Sequence, residues 1–263
     1  MTKLIVDHAT IAPGRQSASE HIPLVNDASL QLSSGEVVAL LGANGGGKTS
    51  LLRGILGFHN LTQGTITLDD QDFLTQPSAE RAQKVSYLPQ QRPLAWPSRV
   101  YDIVALGRFA HGATLGRLGS EDIDAVEHAL TSCDLQRLKN RNVLSLSGGE
   151  RARVHFARAM ATQAPLLIAD EPMAELDPRF QLQISQLIRQ FVDTGGGALV
   201  VLHEIALAAN LADRLIWMRD GHIIATGTPA ETLTPNILAD VYGVRANITR
   251  DEHGFEVRIL SIL

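Results

Sequence analysis

Short, continuously apolar runs separated by amphipathic stretches dominate the pattern along this chain. Three runs are rich in Val, Leu and Ile and are bounded by turn or charged residues, namely 37–41, 166–169 and 198–202. Such runs are typical of buried strands in a parallel sheet. Helical periodicity occupies four further stretches, namely 49–56, 150–162, 178–192 and 204–211. The alternation predicts an α/β domain with a parallel-sheet core.

Two other parts of the chain have a different pattern. Strand alternation broken by Ser-Gly and Asp-Asp turns occurs at 24–36 and 64–72, which predicts an antiparallel β subdomain. The stretch from 93 to about 141 begins with prolines and carries helical patterns at 100–108 and 121–131. We therefore predict a helical subdomain inserted into the α/β domain.

These patterns indicate one domain over residues 1–263. The core and the β subdomain are expected in 1–92 and about 160–263, and the helical subdomain in about 93–159. The end of the chain predicts a hairpin whose second strand places three apolar side chains on one face, those of Phe255, Val257 and Ile259.

Composition and charge narrow the possible classes of protein. Hydrophobic residues make up 44% and charged residues 19% of the chain, which excludes a disordered or fibrous protein. The net charge of −5, without a block of like charges, argues against a nucleic-acid partner. The single cysteine, Cys133, indicates a reducing compartment, and a buried residue without chemistry is its simplest interpretation. The longest apolar runs are too short to cross a bilayer, so we expect a cytoplasmic protein.

A glycine-rich turn joins the first apolar run to a helix and satisfies GxxxxGK followed by Thr. Glycines allow successive amides to surround a phosphate, Lys48 adds a charge at the β- and γ-phosphates, and Thr49 offers a hydroxyl to Mg²⁺. A chance glycine turn is the alternative. The pattern predicts a phosphate-binding loop formed by Gly42, Ala43, Asn44, Gly45, Gly46, Gly47, Lys48, Thr49 and Ser50.

Two acidic residues follow the apolar run 166–169. Carboxylates at the end of a buried strand are costly unless a cation meets them. Beside a phosphate loop, Asp170 is expected to hold Mg²⁺ through its water shell, and Glu171 to act as the general base that deprotonates water. Without such a loop, two acids that face solvent would be the simpler interpretation.

Residues Ser147 and Glu150 have the spacing of a capping box, so a helix is predicted to begin there. Gly148 and Gly149 occupy its first turn, although glycine costs helix stability. A simple cap is one interpretation. Exposed amides at this helix start would instead bind an anion.

Together, GANGGGKT, LSGGE and LLIADEP resemble the ATP-binding cassette of ABC transporters, and the resemblance covers nearly the whole chain. It implies a P-loop NTPase fold, hydrolysis of ATP with Mg²⁺, and a head-to-tail homodimer that encloses two ATP molecules. Ser147, Gly148, Gly149 and Glu150 would then contact the γ-phosphate held by the opposite subunit.

Three further positions match family motifs. Gln90 resembles the glutamine that touches Mg²⁺ and the attacking water, His203 the histidine that bonds the γ-phosphate, and Asp177 the aspartate of the D-loop. The D-loop usually has the sequence SALD in this family, but residues 174–177 have the sequence AELD in this chain. No aromatic residue precedes Phe58 to stack on adenine. Arg15, or else His21, is expected to stack there by its planar cation.

The stretch after Gln90 and the segment LTPNILADVYGV resemble cassettes that serve iron-siderophore, haem and cobalamin importers. The variant DEPM resembles the cobalamin branch of that subgroup. Such a subunit would work peripherally on the cytoplasmic face of the inner membrane, with transmembrane permease subunits and, indirectly, a substrate-binding protein. An apolar groove in the helical subdomain would receive a permease helix, lined by Trp96, Val100 and Tyr101.

Other classes of protein share some of these motifs. A zinc or molybdate importer and a free-standing exporter cassette share the ATPase motifs. A soluble ABC ATPase of DNA maintenance is disfavoured because Lys48 and Ser147 are close in sequence with no heptads between them, and the ribosomal class carries two cassettes in one chain. A small P-loop kinase would have no role for LSGGE or His203.

Overall fold

The computed structural model describes residues 1–14, 22–90 and 97–263. The chain divides into two compact units. One comprises Met1–Thr75 and Ala198–Leu263, and the other comprises Gln76–Gly197. The subdomain limits inferred from the sequence pattern stay a prediction.

An antiparallel sheet forms the β-rich part of the first unit. Its strands are β1 (Lys3–Ala12), β2 (Val25–Ser33), β4 (Asn60–Leu68) and β5 (Gln71–Asp72), in the order β2-β1-β4-β5. Buried and exposed side chains largely alternate along β2, because one sheet face packs on the core while the other meets water. The predicted antiparallel β subdomain is confirmed.

Parallel strands carry the core of the first unit. The strand β3 (Val37–Gly42) pairs in parallel with β8 (Gly197–Val201) on one side and with β9 (Arg214–Arg219) on the other, and β10 (His222–Gly227) is antiparallel to β9. Every residue of β3 and β8 is buried, which explains their uninterrupted apolar sequences. The helices of this unit are α1 (Lys48–Ile55), α7 (Ile205–Leu211), α8 (Pro229–Thr232) and α9 (Pro235–Tyr242).

In the second unit, the described residues form a parallel strand pair and five α-helices, together with short 3-10 helices. The strand β6 (Val85–Leu88) pairs with β7 (Leu166–Asp170). The helices are α2 (Ser78–Lys84), α3 (Val100–Ala105), α4 (Ser120–Ser132), α5 (Gly148–Ala161) and α6 (Pro178–Asp193). Helix α5 packs against α3, α4 and α6, so it forms the centre of this unit.

The helix predicted at 100–108 is α-helical only as far as Ala105 and continues as a 3-10 helix, Leu106–His111. The 3-10 helix packs closely against α5. A Cβ at Gly107 would lie only 2.3 Å from the carbonyl oxygen of Arg158. Val100 is fully buried and does not line a groove, so that prediction was wrong for this residue. Tyr101 is half-buried, and Trp96 lies outside the described residues.

The predicted C-terminal hairpin is present as β11 (Val244–Asp251) and β12 (Gly254–Ile262). Phe255 and Val257 are half-buried, whereas Ile259 is 51% exposed. The apolar face of β12 is therefore covered mainly near the turn.

The structure also bears on the predictions made for Cys133 and for membrane-spanning segments. Cys133 is buried, and desolvation raises the pKa of its thiol to about 12, which agrees with a residue without chemistry. In the three described ranges, no helix has both the length and the apolar character that a membrane span requires.

Candidate nucleotide site

The glycine-rich turn lies between the end of β3 and the start of α1. Lys48 is 6% exposed, and its ammonium group donates hydrogen bonds to the carbonyl oxygens of Gly42 at 2.8 Å and Ala43 at 3.0 Å. The loop thus curls around the side chain of its own lysine. This arrangement keeps a positive charge inside the concavity, where a phosphate group would be attracted.

Two glycines give the loop its path. Gly45 and Gly47 have φ angles of +79° and +95°, a left-handed conformation that side chains with a Cβ rarely adopt. A Cβ on Gly47 would also lie 3.0 Å from the carbonyl oxygen of Leu24. Backbone conformation therefore favours glycine at both positions, and limited space favours it in addition at Gly47.

Helix α1 begins at Lys48, directly after the loop. Thr49 and Ser50 are half-buried in its first turn, and Asn44 and Gly45 are exposed. The first amides of a helix have no partner within it, and the helix dipole adds positive charge at that end. The loop and the helix start together fit the β- and γ-phosphates of a nucleotide.

The two acidic residues predicted for catalysis lie at the carboxyl end of β7. Asp170 is only 1% exposed. Glu171 has a φ of +49°, an uncommon left-handed conformation. The side-chain amide of Gln90, which follows β6, donates a hydrogen bond of 2.6 Å to Oε2 of Glu171. The parallel pairing of β6 and β7 thus brings together two residues that are far apart in sequence.

The predicted capping box at the start of α5 is confirmed. The amide of Glu150 donates to Oγ of Ser147 at 3.3 Å, and the amide of Ser147 donates to Oε2 of Glu150 at 2.8 Å. The hydrogen bond from the Ser147 amide lowers the pKa of the Glu150 carboxyl group.

The two glycines of this turn have different surroundings. A Cβ on Gly149 would lie 2.2 Å from the ring of Phe180 on α6, so close helix packing requires glycine there. Gly148 is exposed, and no described heavy atom lies within 4 Å of the Cβ that it lacks. Helix packing therefore explains the glycine at 149, whereas the open space at 148 leaves exposure of an amide as the reason for glycine there.

The AELD segment connects β7 to α6. Asp177 is the N-cap of α6, and its carboxylate accepts a hydrogen bond of 3.1 Å from the amide of Phe180. Glu175 is exposed and has a φ of +62°. Asp177 thus has a structural role, whereas Glu175 projects from a tight turn.

A cavity of about 340 Å³ lies beside these segments. It lies beside the end of the segment that follows β6, α5 and the AELD segment, and its lining includes Gln90, Gly148, Arg151, His155 and Glu175. Arg151 and His155 were not among the site residues predicted from the sequence. Their spacing of four residues, which places both on one face of α5, was the available signal.

His203 is exposed in the connection between β8 and α7. It lies in the same unit as the phosphate loop, whereas Gln90, Asp170, Glu171 and the capping box lie in the other unit. Arg15 and His21, the candidates for the adenine contact, lie outside the described residues.

Comparisons with known proteins agree with these features. The family model described as ABC transporter matches residues 25–174. The chain is 44% identical over 220 residues to the hemin import ATP-binding protein HmuV of Pseudomonas fluorescens strain Pf-5, covering 82% of this chain and 85% of that protein. It is 35% identical over 252 residues to the protein of the same name from Pseudomonas aeruginosa, covering 94% and 95%.

Solved structures have the same fold. A metal-chelate type ABC transporter in an inward-facing conformation aligns with a TM-score of 0.82 at 23% identity, covering 100% of this chain and 98% of that one. A dimeric ATP-binding cassette bound to ADP and phosphate aligns with a TM-score of 0.73 at 25% identity, covering 86% and 98%.

Proposed function

This chain belongs to the ATP-binding cassettes of the ABC transporter family, and on that premise we propose that it drives the import of haem across a membrane. ATP hydrolysis is the activity of the family. The hydrogen bond between Gln90 and Glu171 carries the catalytic part of the proposal. The curated relatives, which are named for hemin import, support haem as the cargo.

The phosphate loop binds the nucleotide. Loop amides and the ammonium group of Lys48 surround the β- and γ-phosphates, since the lysine is already inside the loop. The hydroxyl of Thr49, the buried carboxylate of Asp170 and the amide of Gln90 are the proposed contacts of Mg²⁺, and oxygen donors of this kind suit that ion. When bound, Mg²⁺ neutralises charge that develops on the phosphates.

Glu171 is the proposed general base. Its Oε2 atom accepts a hydrogen bond from Gln90, and the carboxylate is the group that would accept a proton from water. The hydrogen bond restricts the rotation of the carboxylate, and a fixed base lowers the entropic barrier to proton transfer. Gln90 thereby orients the base as well as contacting the ion.

A second copy of the chain completes the site in this proposal. The hydroxyl of Ser147 and the amide of Gly148, at the start of α5, contact the γ-phosphate of ATP on the opposite subunit, and His203 bonds the same phosphate from its own subunit. Glu175 places a negative charge at the proposed dimer interface, where cassettes with the sequence SALD have an alanine. The dimer works with permease subunits at the cytoplasmic face of the membrane, and a substrate-binding protein delivers cargo to the permease.

The test of the catalytic assignment is Glu171→Gln in the full-length chain with Mg²⁺ and ATP. Loss of the base should abolish turnover while ATP still binds, so a dimer should accumulate in size-exclusion chromatography. Glu80→Gln, at an exposed residue of α2, is the matched control and should hydrolyse ATP normally. A Glu171→Gln protein that turns over ATP at the wild-type rate would contradict the assignment of the base.

The cargo requires a cellular assay. Cells that carry Lys48→Ala in place of the wild-type protein should lose uptake of labelled haem and keep uptake of cobalamin and ferric siderophore. Loss of a different uptake would exclude haem and leave the ATPase assignment intact. Unchanged uptake of all three compounds would favour a zinc or molybdate importer or an exporter.

A further inference from the structure

The side chain of Asn210 is paired with the backbone of the C-terminal hairpin. The amide of Phe255 donates to Oδ1 of Asn210 at 2.7 Å, and Nδ2 of Asn210 donates to the carbonyl oxygen of Phe255 at 3.0 Å. One side-chain amide thus satisfies both backbone groups of a single residue, in the manner of a neighbouring strand.

The hairpin is shaped to admit this contact. Gly254 has a φ of +117°, and a Cβ at this position would lie 2.1 Å from Oδ1 of Asn210. Any other residue would therefore be strained and would also push the asparagine away. The hairpin turn and Asn210 form a specific two-point contact, which we call the Asn210 clamp.

The clamp holds the far end of the helix that follows His203. Asn210 lies in the last turn of α7, which runs from Ile205 to Leu211. On the other side of His203, the amide of Leu202 donates to the carbonyl oxygen of Leu40 on β3 at 3.3 Å. The backbone at His203 is thus fixed on one side by the sheet and on the other by α7.

Helix α7 has little else in its own sequence to hold it in place. It is seven residues long, and helices of that length are unstable by themselves. Its buried residues are Ala208, Ala209 and Leu211, and the two alanines offer only methyl groups for interlocking. At 1.5 Å per residue the helix spans only about 10 Å, so a tilt at Asn210 is transmitted to its start.

We propose that the C-terminal hairpin, acting through the Asn210 clamp, holds His203 in the position required for hydrolysis. Asn210 and Gly254 are then positioning residues that act through His203. The proposal rests on the role of His203 in the proposed function. The hairpin then affects the rate of hydrolysis and not the binding of the nucleotide, because the phosphate loop lies between β3 and α1.

The test compares steady-state ATPase activity of full-length Asn210→Ala and Gly254→Ala proteins with the wild type. Displacement of the histidine should lower kcat about 10-fold, while KM for ATP and the affinity for a fluorescent ATP analogue change less than about twofold. Asn210→Asp retains the acceptor for the Phe255 amide and should lose less activity than Asn210→Ala. Asn247→Ala makes the same change from asparagine to alanine at an exposed residue of β11. It is the matched control and should leave kcat unchanged.

His203→Ala, measured in parallel, separates the two levels of the proposal. If His203→Ala lowers kcat and Asn210→Ala does not, the clamp has no part in turnover and the inference is overturned. A wild-type kcat for His203→Ala would refute the role of the histidine itself. Equal losses of nucleotide affinity and kcat in both clamp variants would show general loosening of the unit, which also overturns the inference.

Discussion

Replacing Arg108 by methionine should destabilise the protein strongly, although the residue lies far from the proposed chemistry in sequence. The side chain is 4% exposed. It donates to Oδ1 of Asp122 at 2.8 Å, to the carbonyl oxygen of Ala161 at 2.9 Å and to Oε1 of Gln163 at 3.0 Å. Arg108 therefore ties the start of α4 to the end of α5.

The structure limits the size of the effect. Removal of one partner from a buried ion pair costs about 3–5 kcal/mol, because the other charge stays buried. The Asp122 side chain is 16% exposed and can regain some water, so a loss of about 3 kcal/mol at the lower end of that range is expected. For a chain of this size, this corresponds to a decrease of roughly 6–12 °C in Tm.

Thermal unfolding at pH 7, followed by circular dichroism, measures this difference. The matched control is Arg189→Met, which breaks the more exposed pair between Arg189 and Asp193 on α6. This pair should contribute no more than about 1 kcal/mol. Equal decreases in Tm for the two variants would refute the reasoning from burial.

The ion pair between Arg108 and Asp122 also predicts that the stability of the protein depends on pH. The hydrogen bond from Arg108 lowers the pKa of Asp122 below its ordinary value of 3.8. A carboxylate with a lowered pKa stabilises the fold above that ordinary value, and the contribution is lost as the pH falls through the lowered pKa. The difference in Tm between wild type and Arg108→Met should therefore shrink below about pH 4.

Three other predictions follow from single contacts. Gly149→Ala should lower Tm because its Cβ meets the Phe180 ring, whereas Gly148→Ala has open space and should not; similar changes for both would contradict the packing argument. Cys133, with a thiol pKa of about 12, should resist iodoacetamide at pH 8 in the native protein and react after denaturation, as mass spectrometry can show. Ser147→Ala should cost about 1 kcal/mol by loss of the N-cap, measured by chemical denaturation, and no loss would mean that the capping bond is not formed in solution.

Local sequence accounts for the elements whose signals lie within a few residues. The glycines at 45 and 47, the capping box of Ser147 and Glu150, and the apolar run of β3 each specify a conformation through neighbouring atoms. These features could be predicted without any knowledge of the fold. The resemblance to the ABC family lies in short motifs of the same local kind.

Other features depended on residues that are distant in sequence. Gly149 has the same local context as Gly148, yet only the position of Phe180 on another helix excludes a side chain there. Gln90 and Glu171 are 81 residues apart, and the parallel pairing of β6 with β7 brings them to 2.6 Å. The pattern of apolar positions specifies that strands exist but not which strands are neighbours, since pairing depends on packing of the whole core.

The Asn210 clamp and the contacts of Arg108 also arise only from tertiary structure. An asparagine near a helix end and an arginine after a glycine carry no distinctive local signal. Their roles follow from the backbone and side-chain groups that other elements place beside them. The sequence by itself therefore determined the local conformations and the chemical groups, whereas tertiary packing decided which of those groups meet, because burial is a property of the assembled core.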